Sequence, residues 1–248
     1  MGIKERQDRE RQAVRQSILD AARDLFVSDG YRNVSIRKIA ERIEYSPAAI
    51  YSYFPSKDDI FFALAEEGFR RLDAKVRSAL GPTDPLDAFR ACWWAYYEFS
   101  KEDREFFELM FVDRSVPQIT EQWTGLAFVH QMLALASERI QRCIDAGVFA
   151  PNTNAEVAMH LIWGALTGPA VIGSGCRLSP GEDPDALARD VLELMIAGFC
   201  SGTAATTFVP CMPHPDATSG EADSLSRLAG HDVVLPASGG QSPFRRDS

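Results

Sequence analysis

The side chains able to do chemistry are few, and most are scattered. Four histidines (His130, His160, His214 and His231) lie far apart with no metal-ligand spacing. No G-x-S-x-G, P-loop or G-x-G-x-x-G stretch occurs. Asp103, Glu105 and Glu108 sit close enough to imitate a pair of catalytic carboxylates, but on a charged helix that spacing reads as a solvated face. The five cysteines (Cys92, Cys143, Cys176, Cys200 and Cys211) are odd in number and lack a C-x-x-C pair. They fit reduced, packing cysteines better than a disulfide framework or a zinc site. No enzyme activity, cofactor or metal is expected.

What remains is a cluster of short polar and aromatic residues between positions 35 and 57: Ser35, Arg37, Ser46, Pro47, Ala48, Tyr51, Tyr53 and Lys57. Hydroxyls, a guanidinium and an ammonium at this density suit phosphates and base edges. Such groups need rigid elements to hold them, and the flanking pattern supplies helices. A first helix is predicted over 9–28, with Val14, Ile18, Ala21, Leu25 and Phe26 at helical spacing. Asp29-Gly30 stops it, because glycine tolerates the left-handed position after a helix. Ser35 caps a short helix over 36–42. Ser46-Pro47 then places a cap before a proline at the first helical position, which starts a third helix. Ile36, Ile39, Ala40 and Ile43 face inward from the second helix, and Ala49, Ile50 and Phe54 from the third. Two short helices around a tight turn make a helix-turn-helix, whose second helix enters the major groove.

The segment GYRNVSIRKIAERIEYSPAAIYSYFPSK, residues 30–57, resembles the TetR family of bacterial repressors. The resemblance rests on Gly30-Tyr31, Ser35-Ile36-Arg37-Lys38-Ile39-Ala40, Ser46 and Ile50-Tyr51-Ser52-Tyr53-Phe54-Pro55-Ser56-Lys57, and covers about 50 residues from the first helix onward. It implies double-stranded DNA as partner, with Ser35, Tyr51, Tyr53 and Lys57 on the backbone and Arg37 on a guanine edge or a phosphate. The bland reading of the same residues is packing for the two tyrosines and a solvated surface for the two cations. The chain departs from the family where Glu44 replaces the usual turn glycine, and Ala48 and Ala49 replace glycine or threonine-like residues. A side chain forced left-handed there costs about 1 kcal/mol.

Behind this module the sequence stays helical: about 56–80, 85–99, 102–112, 117–146, 153–173 and 184–200, with Asp84-Pro85 and Asp183-Pro184 as further cap-then-proline starts. No strand pattern appears, and the fold class is all-α. The stretch 86–132 is dense in aromatic residues. In the family such a domain encloses a pocket for a small effector that releases the DNA. Trp93, Tyr96, Tyr97, Phe107, Phe111, Trp123, Phe128 and Trp163 are the candidate lining, suited to an apolar or aromatic compound. Aromatic stripes at helical spacing also serve as plain core. The run His160–Gly168 is similar to a C-terminal subtype of the family marked by Trp, His and Gly, with Thr167 at the usual histidine position. Small residues (Gly164, Ala165, Gly168, Ala170) and the final helix look like half of a four-helix homodimer interface.

Length and charge bound these readings. The 248 residues suffice for a small domain joined to a larger one: helix-turn-helix over 1–56, ligand and dimer domain over 57–201, and a Gly/Pro/Ser-rich tail over 202–248 expected to be disordered. Net charge is −9, yet residues 1–60 carry 11 Lys/Arg against 10 Asp/Glu, or +1. The acidity therefore lies in the rest of the chain. A basic DNA face must come from local arrangement of Arg11, Arg15, Arg37, Lys38 and Lys57. The charged start has no apolar signal core, and no continuous apolar run of roughly 18 residues is evident, so a cytoplasmic protein with no membrane partner is expected. The remaining rival is a helix-turn-helix protein that chiefly binds another protein through its tail or aromatic face. Salt-sensitive binding to a palindromic duplex separates the two.

Overall fold

Side-chain caps set most of the helix starts. Ser35 accepts from Lys38 N–H, Ser46 from Ala49 N–H, and Ser56 from Asp59 N–H. Asp84, Asn154 and Asp183 each accept from amides of the first turn that follows them. The computed structural model describes residues 3–117, 126–175 and 178–202. Its helices are α1 (Ile3–Asp29), α2 (Ile36–Arg42), α3 (Pro47–Tyr51), α4 (Lys57–Ser78), α5 (Pro85–Glu102), α6 (Arg104–Phe107), α7 (Leu126–Asp145), α8 (Ala155–Ser174) and α9 (Pro184–Ser201). A 3-10 turn (Tyr31–Asn33) precedes α2, and a π turn (Glu108–Val112) extends α6. There is no strand among the described residues.

The fold is all-α, a helix-turn-helix module followed by a helical body. One apolar core runs from Ile18 and Phe26 of α1 through Ile39, Ile50 and Phe61 to Phe89, Ile162 and Ile196. Within the body, α8 packs on α5, α7 and α9, and α4 packs on α5. Bidentate bonds from Arg90 to Glu193, at 2.8 and 3.0 Å, tie α5 to α9.

Three elements differ from the sequence reading. The first helix begins at Ile3 and not near residue 9. Its extra turns are exposed and charged, so they carry no apolar periodicity to announce them. The helix expected over 102–112 breaks at Asp103 and resumes as α6, then widens into the π turn, closed by Asp113 N–H to Glu108 C=O at 2.9 Å. The helix expected from 117 has no helical residue at 113–117; α7 is described from 126, and the intervening residues lie outside the described set, as does the tail from 203. Among the described residues one helix, α8, is long and apolar enough by composition to cross a membrane, with a mean hydropathy of 1.3; Glu156, His160 and Thr167 interrupt it, so it shows no continuous apolar run. In this fold α8 buries Val157, Met159, Ile162, Leu166 and Ala170 against its neighbours.

Candidate DNA-binding face and effector cavity

The turn of the helix-turn-helix is set by Glu44. After α2, Tyr45 N–H reaches Ala40 C=O at 2.9 Å and Glu44 N–H reaches Glu41 C=O at 3.4 Å, the paired bonds of a Schellman stop. That stop needs a left-handed residue, and Glu44 has φ +60°, unlike any other described non-glycine residue. Ile36, Ile39, Ala40, Ile50 and Phe54 are buried behind the turn, and Ile43 is half-buried. The orientation of α3 is thereby fixed from below.

The outer surface then consists of Ser46, Pro47, Ala48, Tyr51 and Ser52, all exposed. Tyr51 is 53% exposed and Tyr45, in the turn, 45%. Tyr45 went unnoticed in the sequence because turn residues have no periodicity to judge them by. Ser35 and Arg37 are exposed on α2, where Arg37 pairs with Glu41 at 2.8 Å. That pair raises the Arg37 pKa through the hydrogen bond and leaves the guanidinium in solvent. Tyr53 is half-buried beneath Arg11, whose guanidinium lies 5.6 Å from its ring centre.

The five cations expected to form the basic face are all engaged within the protein. Arg11 and Arg15 lie over Tyr53 and Phe54, and Lys38 pairs with Asp29. Lys57 points back into the module: its ammonium donates to Tyr31 C=O at 2.8 Å and Val34 C=O at 3.0 Å, 4.0 Å from the Tyr31 ring centre. The Tyr31 hydroxyl donates to Asp58, and burial followed by that bond pushes its pKa upward. Arg32 and Arg42, which the sequence reading did not single out, are exposed. Neither has an ion-pair partner among the described residues.

The body encloses a cavity of about 370 Å³, within the range of ligand sites, roughly 300–1,000 Å³. It lies among α4, α5, the π turn, α7 and α8. Of the eight candidate residues, Trp93, Tyr96, Phe111 and Trp163 line it. Tyr97, Phe107 and Phe128 do not. Tyr97 turns to the other side of α5, where its hydroxyl donates to Asp185 at 2.9 Å. Phe107 is core, packed on Tyr96 and Phe111. Phe128 lies under Arg70. Trp123 lies outside the described residues. Phe69 adds a further ring, and the rest of the lining is aliphatic or thioether (Leu72, Met110, Met132, Leu133, Met159), with Cys92, Thr167, Asp73, Arg77 and Arg139 as the polar exceptions.

Polar groups at the aromatic end satisfy one another. Trp163 Nε1 donates to the Tyr96 hydroxyl at 3.1 Å, which lies 2.8 Å from Thr167 Oγ1, which donates to Trp163 C=O at 2.8 Å. With the threonine proton committed, the tyrosine must donate to it. Burial pushes the Tyr96 pKa up to about 12. Asp103 and Glu105, two members of the carboxylate cluster, pair with Arg71 at 3.0 Å and Arg23 at 2.6 Å. They tie α6 to α4 and α1. Cys92 and Cys143 are buried free thiols, and Cys200 is exposed.

A short capped helix with an exposed outer face, in front of a helical body, is the architecture of a helix-turn-helix regulator. The family profile described as "Bacterial regulatory proteins, tetR family" matches residues 18–64. The HTH-type transcriptional repressor AcnR of Corynebacterium glutamicum is 38% identical over 189 residues, covering 73% of this chain and 89% of AcnR. The repressor Rv1474c of Mycobacterium tuberculosis is 28% identical over 192 residues, covering 74% and 91%. Among solved structures, FadR of Bacillus subtilis in complex with stearoyl-CoA superposes with a TM-score of 0.62 at 19% identity, covering 74% of this chain and 98% of FadR. PfmR of Thermus thermophilus gives 0.59 at 23%, covering 73% and 97%. The chain belongs to the TetR family of DNA-binding transcriptional regulators.

Proposed function

We propose that this protein is a homodimeric repressor that sits on a near-palindromic operator and is released by a small apolar or aromatic effector held in the cavity. The observation that carries the ligand response is the double attachment of Tyr31. Its carbonyl is held by Lys57, the first residue of α4, whose later turns supply Phe69, Leu72 and Val76 to the cavity. Its amide points at Asp113, at a long 3.5 Å, just beyond the π turn whose Met110 and Phe111 also line the cavity. A ligand that displaces α4 or the π turn therefore moves the turn that leads into α2. Effector and DNA then favour different arrangements, and the coupling is reciprocal.

The dimer reading rests on exposure. Of the four exposed large apolar side chains described, Tyr45 and Tyr51 lie on the DNA-binding module, and Leu161 and Leu194 lie on α8 and α9. A Cβ placed on Gly164, Gly168 or Gly198 meets nothing within 4 Å, so these glycines serve no packing inside the protomer. An α8–α9 pair meeting its copy fits the four-helix arrangement. Two α3 helices must then sit about 34–36 Å apart to enter successive major grooves. Repression is favoured over activation by the similarity to AcnR and Rv1474c, both repressors. The site of action is the cytoplasm.

The test is binding of the purified protein to the duplex upstream of its own gene and to a pool of random duplexes, with Tyr51→Ala and Arg37→Ala alongside. Specific, salt-sensitive binding by a dimer that both substitutions weaken supports the reading. Sequence-independent binding only, unaffected by either change, overturns it.

A further inference from the structure

We propose that the effector is an amphipathic carboxylate whose anionic end sits against the Arg139 guanidinium. This rests on the cavity of the proposed function and names the chemistry that it selects. The lining is almost wholly apolar, so its few polar groups decide what enters, and each can be accounted for. Tyr96, Thr167 and Trp163 close a ring of hydrogen bonds and leave no donor over. Arg77 is held by Asp73 at 2.6 Å. One cation remains.

Arg139 lines the cavity half-buried, with no ion-pair or hydrogen-bond partner among the described residues. A charged group held partly out of water is costly unless something compensates it. Cys143, one turn beyond Arg139 on α7, bonds to Pro85 C=O, so the end of α7 runs beside the start of α5.

A carboxylate answers that vacancy: one charge, and a planar fork of two oxygens matching guanidinium. An aliphatic or aryl body fills the remainder, reaching toward Phe111 and the closed ring of Tyr96, Thr167 and Trp163. A neutral hydrocarbon leaves Arg139 unpaired. A dianion or polyanion brings charge that no second free cation in the lining can meet.

The probes are decanoic acid against 1-decanol, and 4-phenylbutyric acid against 4-phenyl-1-butanol, titrated calorimetrically into the full-length protein at neutral pH. The acids are expected to bind at least tenfold more tightly than the matched alcohols. Arg139→Gln should erase that preference, and Arg139→Lys should keep part of it. Equal binding of acid and alcohol by the unsubstituted protein overturns the proposal, as does binding by none of the acids. So does a preference that survives Arg139→Gln. The same compounds added to the protein–DNA complex separate the two readings. Acids that bind through Arg139 without releasing DNA uphold this site and sink the effector role. Release of DNA by the alcohols alone upholds the effector role and sinks this site.

Discussion

The ammonium of Lys57 donates to the carbonyl of Tyr31 at 2.8 Å while lying over the ring of that same residue, 4.0 Å from its centre. A lysine placed by motif on the DNA is thus also an internal clamp. It fastens the start of α4 to the turn that leads into α2.

Lys57→Ala is therefore expected to lower stability as well as DNA affinity. It strips a donor from two carbonyls, Tyr31 and Val34, in a part-buried setting, at a cost on the order of 1–2 kcal/mol. Thermal unfolding without DNA checks this. An unchanged midpoint would return Lys57 to a purely phosphate-binding role.

Glu44→Gly should stabilise the protein by about 1 kcal/mol, because glycine adopts φ +60° without the Cβ penalty. Chemical denaturation measures it. The Schellman bonds from Tyr45 and Glu44 to α2 persist in the variant, so the DNA-binding face keeps its shape. A loss of stability would mean that the Glu44 side chain makes a compensating contact.

On DNA, Arg32→Ala should weaken binding to all sequences alike and lower the slope of log K against log salt by roughly 0.9, the share of one phosphate contact. Tyr51→Ala should weaken specific binding without altering the fold, since its side chain is half out in solvent. A salt series on specific and random duplexes separates the two. An unaltered slope for Arg32→Ala places that residue off the DNA.

Asp185 carries a pH signature. Lys101, bonded at 2.7 Å, and then Tyr97 hold its pKa below the ordinary 3.8, against the rise from desolvation. A carboxylate depressed in the folded state adds stability that is complete above 3.8 and lost as pH falls through the lower folded value. Asp185→Asn should therefore cost no more than about 1 kcal/mol near neutrality, given the half-exposed lysine. The gap to the unsubstituted protein should close below pH 3.8. A gap independent of pH would assign the effect to the α9 cap instead.

Leu194→Glu is expected to leave the protomer folded and to separate the proposed dimer, as Leu194 is 71% exposed on α9 and contributes little to the protomer core. Sedimentation velocity reads the result. A variant that remains dimeric moves the interface elsewhere.

Much of this protein was legible in the residues alone, where the signals are local. Ser35, Ser46, Ser56, Asp84 and Asp183 cap helices through their own side chains, and after Ser46, Asp84 and Asp183 a proline at the next position fixes φ regardless of context. The helix-turn-helix, the all-α class and the left-handed strain at Glu44 follow from such short-range geometry. What the tertiary structure alone decided is where each face points. Trp93 and Tyr96 line the cavity while Tyr97, next on the same helix, bonds to Asp185, because successive residues turn by about 100° and only packing against α7, α8 and α9 says which direction is inward. Lys57 turns inward because residues some 25 positions earlier present it with two carbonyls. Arg139 is notable because no partner comes near it among the described residues, and that is a property of the folded surroundings that its own sequence neighbours do not carry.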